Sequence, residues 1–197
     1  MNDQYEARVR RIELELVRVS ASLMGAGMMF RWLDPFVLAG PEASVELAEL
    51  ERIVGPLPPA LWAWYRRFEL VDLSGWIEDW HRNPPEPRTR RGDPSRFFGD
   101  PLVVRSPAEL IGLLAAAPAR HGLPFAADAR AKERCGAGQL WLTWRPGDGD
   151  ALVEDGTGRS FLAYVEGALS WLGFPGWADY ENVPEVVRAR RASVCHD

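Results

Sequence analysis

The stretch Arg52–Phe68, "RIVGPLPPALWAWYRRF", sets a glycine and three prolines directly in front of two tryptophans, a tyrosine and a phenylalanine. Upstream of it, Ser44 precedes "VELAELERIV", where Leu47, Leu50 and Val54 follow helical spacing. Gly55 is a natural helix stop, and Pro56 prevents the helix from resuming. Pro58 and Pro59 then open a second helix, because proline in the first turn loses no hydrogen bond and already holds the helical φ. Leu57 is placed to pack on Trp62 as a hydrophobic staple, while Leu61, Tyr65 and Phe68 share one face. Trp62 and Trp64 cannot both lie on that face, so at least one covers a neighbouring element or meets solvent. The stretch therefore predicts a corner between two helices, with the largest apolar side chains delivered immediately after the bend.

Outward from the corner, Tyr5, Val9, Ile12, Leu16, Val19 and Leu23 recur at steps of four and three and draw one apolar stripe down an N-terminal helix. The pattern lasts under three heptads, which suits a helix packed on its own domain better than a coiled coil. "MGAGMMFRWLDPFVLAGPEA" follows, interrupted by Gly25, Gly27, Arg31, Asp34 and Pro35, and reads as a packed connector. Beyond Phe68, "ELVDLSGWIEDW" predicts a strand leading to a turn at Gly75. The segment at about 81–101 is rich in proline and arginine and reads as a surface loop. A strand "LVV" comes next, and Ser106 with Glu109 forms a capping-box start to "PAELIGLLAAA". "GQLWLTW" and "DALVED", joined by "RPGDG", predict a hairpin; Ser160 then caps a helix whose Leu162, Val165, Leu169 and Leu172 form one face, ended by Gly173. The tail reads as a short helix before fraying. Helices first and strands later give an α+β class with a central, mainly antiparallel sheet and a C-terminal helix. The expected organisation is an N-terminal helix and connector at 1–43 packed on a main domain at 44–197.

With 197 residues, 47% hydrophobic and 26% charged, the chain is long enough to bury roughly 70% of its extended surface without staples. Cys135 and Cys195 stand far apart and make no disulfide framework. The charged start "MNDQYEARVRRIELEL" is unlike a signal peptide, and no run of about twenty uncharged apolar residues occurs. A cytoplasmic protein with no membrane span is the expectation. A net charge of -5 disfavours nonspecific nucleic-acid binding, which depends on neutralising phosphates.

Patterns that suggest chemistry are weak throughout. "DGDALVED" starts like a calcium loop but has Leu152 where an oxygen ligand is required. His81, His121 and His196 do not come in the close pairs of zinc sites, and there is no nucleophile elbow and no phosphate-cradling glycine loop. Glu154 with Asp155 reads as a solvated acid pair, and Arg82, Arg88, Arg90, Arg91 and Arg96, interspersed with Glu86 and Asp93, as a solvated loop. No catalytic residue, metal or cofactor is expected. The strongest binding signal is "WIEDW": Trp76 and Trp80 flank Glu78 and Asp79, with Glu69 and Asp72 just upstream. Aromatic anchors beside carboxylates suit a surface for a basic protein partner, since the aromatics supply buried area and the acids steer encounter.

Together, Glu51, Val54, Gly55, Leu57, Pro58, Tyr65 and Phe68 resemble the signature of the SUKH superfamily: a helix carrying a glutamate, an apolar residue and glycine, Leu-Pro, then a helix with aromatics. The Ser160–Phe161 helix start after the hairpin is similar to that family as well. The gap between Gly55 and Leu57 is one residue shorter than the family's usual spacing, and "ELVDLSG" stands in place of its Asn-Gly. The resemblance spans roughly 44–172 and implies a single SUKH-like domain. It further implies a bacterial immunity protein that neutralises a cognate toxin by stoichiometric binding, or alternatively an intracellular scaffold or regulator without a toxin. An enzyme with an unrecognised site is the third class.

Overall fold

The computed structural model describes residues 3–77, 101–116, 122–126, 140–175 and 185–194. Along the chain run α1 (Asp3–Gly25), β1 (Met29–Phe30), β2 (Phe36–Leu38), α2 (Ala43–Val54), α3 (Pro59–Tyr65), β3 (Phe68–Asp72), β4 (Gly75–Trp76), β5 (Val103–Val104), α4 (Pro107–Ala116), β6 (Leu123–Ala126), β7 (Leu140–Thr143), β8 (Leu152–Val153), α5 (Phe161–Leu169) and α6 (Glu185–Val194). The class is mixed α+β, and every strand pairing among the described residues is antiparallel. β1 pairs with β4, while β2-β3-β5 and β6-β7-β8 form two three-stranded sheets. These two sheets meet where the Arg105 N–H donates to the Phe125 carbonyl at 3.0 Å.

The corner forms as the sequence predicts, and the structure shows what holds it. Gly55 sits at φ 85°, ψ 178°, a backbone region that side chains rarely adopt, and its N–H closes α2 onto the Glu51 carbonyl at 2.8 Å. Pro59 occupies the first turn of α3. The Glu51 Oε1 atom accepts both the Leu57 N–H at 2.9 Å and the Trp62 Nε1–H at 2.8 Å, tying α2, the bend and α3 together through one carboxylate. From the other side, Trp144 Nε1 donates to the Pro56 carbonyl at 2.9 Å, and the Ala60 N–H, one of the unpaired donors of the first turn of α3, reaches the Gly149 carbonyl at 3.1 Å. The bend is therefore anchored to the β7–β8 hairpin.

Leu57, Leu61, Tyr65 and Phe68 are all buried. Of the two tryptophans, Trp64 is the buried one, and Trp62 lies half-buried against the core with its indole N–H on Glu51. Trp64 joins a chain of ring contacts through the molecule: Phe36 to Phe68 at 6.2 Å, Phe68 to Trp64 at 4.6 Å, Trp64 to Phe161 at 5.1 Å, Phe161 to Phe125 at 5.6 Å and Phe125 to Tyr164 at 5.7 Å. Edge-to-face and tilted contacts at these spacings add to the gain from area burial. The rings come from β2, β3, α3, α5 and β6, so the corner supplies the middle of the core. The stripe of α1 (Val9, Ile12, Leu16, Val19, Leu23) is buried in the same apolar cluster, against α3 and α5, and is not left for an outside helix.

Both predicted caps are made. Ser106 and Glu109 bond reciprocally at 3.2 Å at the start of α4, and the Ser160 hydroxyl accepts the Ala163 N–H at 3.4 Å on α5. The hairpin pairs Leu142 with Val153. Three readings are corrected. Helix α2 begins at Ala43 and not after Ser44, because the carbonyls of Gly40 and Glu42 already take the N–H groups of Ala43, Val45 and Glu46. The connector contributes β1 and β2. Gly75 is a strand residue opposite Phe30, where a Cβ would stand 2.4 Å from the Met29 carbonyl oxygen, so the β1–β4 approach needs glycine for its space.

Leu61→Ala should lose about 2–5 kcal/mol in urea unfolding. Glu51→Ala, which leaves the Leu57 and Trp62 donors without their acceptor, should lose about 1–3 kcal/mol. If either variant stays within about half a kcal/mol of the parent, the corresponding contact does not stabilise the fold.

Candidate functional site

Asp72 ends β3 and is 5% exposed. Its carboxylate accepts the Trp32 Nε1–H at 2.8 Å, the Ser74 N–H at 2.9 Å and the Ser74 hydroxyl. With three donors on it inside the protein, Asp72 is a support and not the steering charge expected from sequence. What it supports is the surface. Trp32, between β1 and β2, is held by its indole N–H yet leaves 49% of itself in solvent, with the Arg31 guanidinium 5.2 Å above its ring. Leu33 beside it is 97% exposed.

The same segment carries Met29, Val37 and Leu38, all exposed. Its backbone is fixed at both ends: β1 by Met29–Trp76 and Phe30–Gly75 pairing, β2 by Phe36–Val71 and Val37–Leu70 pairing. The Asp72 N–H also donates to the Pro35 carbonyl at 2.9 Å. Among the described residues β2 is an edge strand. Five exposed apolar side chains are thus carried on one segment whose two ends are paired, where burying them would regain about 25 cal/mol per Å². Large apolar groups held in one orientation are good anchors for a protein partner, since little ordering remains to oppose binding.

Of the residues singled out in sequence, Glu69 is exposed on β3 and Trp76 contributes the backbone of β4 opposite Met29. Glu78, Asp79 and Trp80 lie outside the described residues, as do the arginine-rich loop, the three histidines and both cysteines. Trp32 and Leu33 were missed. Their signal is two large apolar residues just before an Asp-Pro break, in a segment without periodicity, a pattern that does not separate a packed connector from an exposed one.

The remaining acidic motifs serve the fold. The Asp150 carboxylate accepts the Ala151 N–H at 2.8 Å and the Leu162 N–H at 3.2 Å, joining Ser160 at the start of α5; burial holds this carboxyl above its ordinary pKa. At Asp155, burial pushes the pKa up, but bonds from Thr157 and Arg159 outweigh it and leave the group below the usual range. The Asp148 carboxylate accepts the Arg145 N–H at 2.7 Å, closing the hairpin turn. Among the described residues, no group of three His, Cys, Asp or Glu is placed to hold a metal ion, and no helix is long and apolar enough to cross a membrane. A groove of about 350 Å³ lies beside α1, α5 and α6, lined by Arg11, Leu14, Leu169 and Arg190. The acids lining it already bear arginines: Glu15 takes Arg18 and Arg190, and Glu166 takes Arg8.

Asp72→Ala should release Trp32, shifting its indole N–H resonance, assigned through Trp32→Phe, and lowering stability by about 1–3 kcal/mol. An unmoved resonance with parental stability would show that Asp72 does not hold the tryptophan. No protein-family model matches the chain, and no curated protein or solved structure matches it.

Proposed function

We propose that this chain is a cytoplasmic immunity protein of the SUKH type, which neutralises a cognate bacterial toxin by occupying it stoichiometrically. The observation that carries the reading is the set of exposed apolar side chains Met29, Trp32, Leu33, Val37 and Leu38 on one segment paired at both ends, with Trp32 braced by a buried carboxylate. Such a surface gives a partner an aromatic anchor and an adjoining strand edge. Glu69 and the net charge of -5 favour a basic partner through faster encounter. The residues that carry the family resemblance fit it in kind: Glu51, Gly55, Leu57 and Pro58, the residue that caps α3, build a corner, and Tyr65 and Phe68 fill a core. Blocking through a surface needs no turnover and no cofactor from this chain.

The test is binding kinetics of folded variants, at two salt concentrations, against any toxin domain that a neighbouring gene encodes. Trp32→Ala should weaken binding by about 2 kcal/mol or more, expressed as faster dissociation. Glu69→Lys should mainly slow association and flatten its salt dependence. Trp76→Ala and Trp80→Ala report whether those tryptophans join the same face. Parental binding by folded Trp32→Ala, Leu33→Ala and Glu69→Lys would remove this surface as the interface, and a parent that binds no such toxin would remove the immunity reading.

A further inference from the structure

Helix α1 has two faces. One is the stripe buried in the core; on the other, Leu14, Val17 and Met24 follow one another at steps of three and seven, and each is more than half exposed. Those steps return a helix to nearly the same side, so the three aliphatic groups form one line about 15 Å long.

The charges around this line are sorted by sign. Arg10 and Arg18 leave 75% and 67% of their side chains in solvent, whereas Glu13 and Glu15 leave 18% and 28%. The acids lean toward the body of the protein and are taken up there: Glu6 by Arg10 and Arg66 at 3.9 and 3.6 Å, Glu13 by Arg67, and Glu15 by Arg18 at 2.6 Å and by Arg190. Asp3, the remaining acid of α1, stands about three turns before Leu14. Arg11 is exposed and has no carboxylate partner among the described residues. In a protein of net charge -5, the outward face of α1 is positive as well as apolar.

The groove of about 350 Å³ beside this face is a separate feature. Ile12, Leu14 and Leu169 give it an apolar lining, Arg11, Arg18 and Arg190 give it cations, and Glu166 at its edge is balanced by Arg8. A projecting side chain can fill such a recess, whereas a flat lipid surface does not use it, and helices that lie on membranes present more and larger hydrophobic groups. A second copy would bring the positive face against itself in a two-fold contact. A nucleic-acid backbone would match the sign and leave the aliphatic line uncovered. What matches both is an acidic amphipathic helix, whose apolar residues recur every three or four positions beside carboxylates.

We propose that the outward face of α1 and the groove beside it receive an acidic amphipathic helix of a protein partner. Its apolar residues cover Leu14, Val17 and Met24, one of its larger side chains enters the groove against Leu14 and Leu169, and a carboxylate pairs with Arg11, the cation not already taken. This surface shares no residue with the Trp32–Leu33 segment and suits a partner of the opposite charge, so it goes beyond the toxin-binding reading and does not depend on it.

The experiment is an amide NMR titration of the full chain with an acetylated and amidated helical peptide of about fifteen residues, carrying leucines at helical spacing and glutamates at the flanking positions. Two counterparts carry glutamine or lysine in place of every glutamate. The acidic peptide should cause saturable shifts at Arg11, Leu14, Val17, Arg18 and Met24; the glutamine peptide should bind about tenfold more weakly, and the lysine peptide should cause none. Arg11→Glu, and Leu14→Gln combined with Val17→Gln, alter exposed side chains, should unfold at the parent's urea midpoint within error, and should each weaken binding about tenfold. If Arg11→Glu does not fold, Arg11→Gln removes the charge alone and decides the point. Trp32→Ala should bind the acidic peptide like the parent. The proposal is overturned if the acidic peptide gives no saturable shift, if the glutamine peptide binds equally well, if the folded variants bind like the parent, or if vesicles of phosphatidylserine and phosphatidylcholine, and not the peptide, shift α1. No toxin takes part, so failure here leaves the Trp32–Leu33 surface standing, and failure of the immunity reading leaves the α1 face standing.

Discussion

A single carboxylate oxygen, Glu51 Oε1, receives the backbone N–H of Leu57 and the indole N–H of Trp62. Those two bonds set the angle at which α3 leaves α2. Trp64 stands between Phe68 and Phe161 because of that angle, and through Phe161 and Phe125 the ring contacts continue to β6. A charged acceptor strengthens both bonds relative to neutral pairs, and the half-buried setting reduces competition from water. The prolines remove alternatives to the bend, and the carboxylate selects one.

Acidic residues among the described ones differ by what lies around them, and some, such as Glu13, Glu15 and Glu166, are paired with arginines. Asp72, Asp150 and Asp155 each accept several donors at a strand end, a helix start or a turn. A carboxylate withdrawn from water needs such donors, so these groups are part of the framework. Glu42, Glu46 and Glu69 instead gather at a notch beside the edge strand. Net charge alone does not distinguish these surroundings.

The apolar surface at residues 29–38 follows from the same framework. Met29 and Phe30 are held by β4, and residues 36–38 by β3, leaving Trp32 and Leu33 on the span between. That span is short and tethered at both ends. Asp72 removes the remaining freedom of the indole, so the half-exposed ring keeps its orientation. Two small sheets and one buried acid thus hold a side chain outward that would otherwise collapse onto the protein.

Local rules determined the corner, the caps at Ser106 and Ser160, the hairpin of β7 and β8 and the buried stripe of α1, because proline, glycine, hydroxyl caps and helical spacing act within a few residues. The α+β class followed from their order along the chain. Glu51 and Trp62, eleven positions apart, and Trp32 and Asp72, forty apart, meet only once the chain is folded, and no local preference encodes either pair. For the same reason "ELVDLSGWIEDW" marked Asp72 as acidic without showing that it is buried, and "FRWLDP" marked Trp32 as apolar without showing that it is exposed. Composition and spacing specify which residues prefer to leave water; which of them succeed is decided by the positions that pairing and packing leave available.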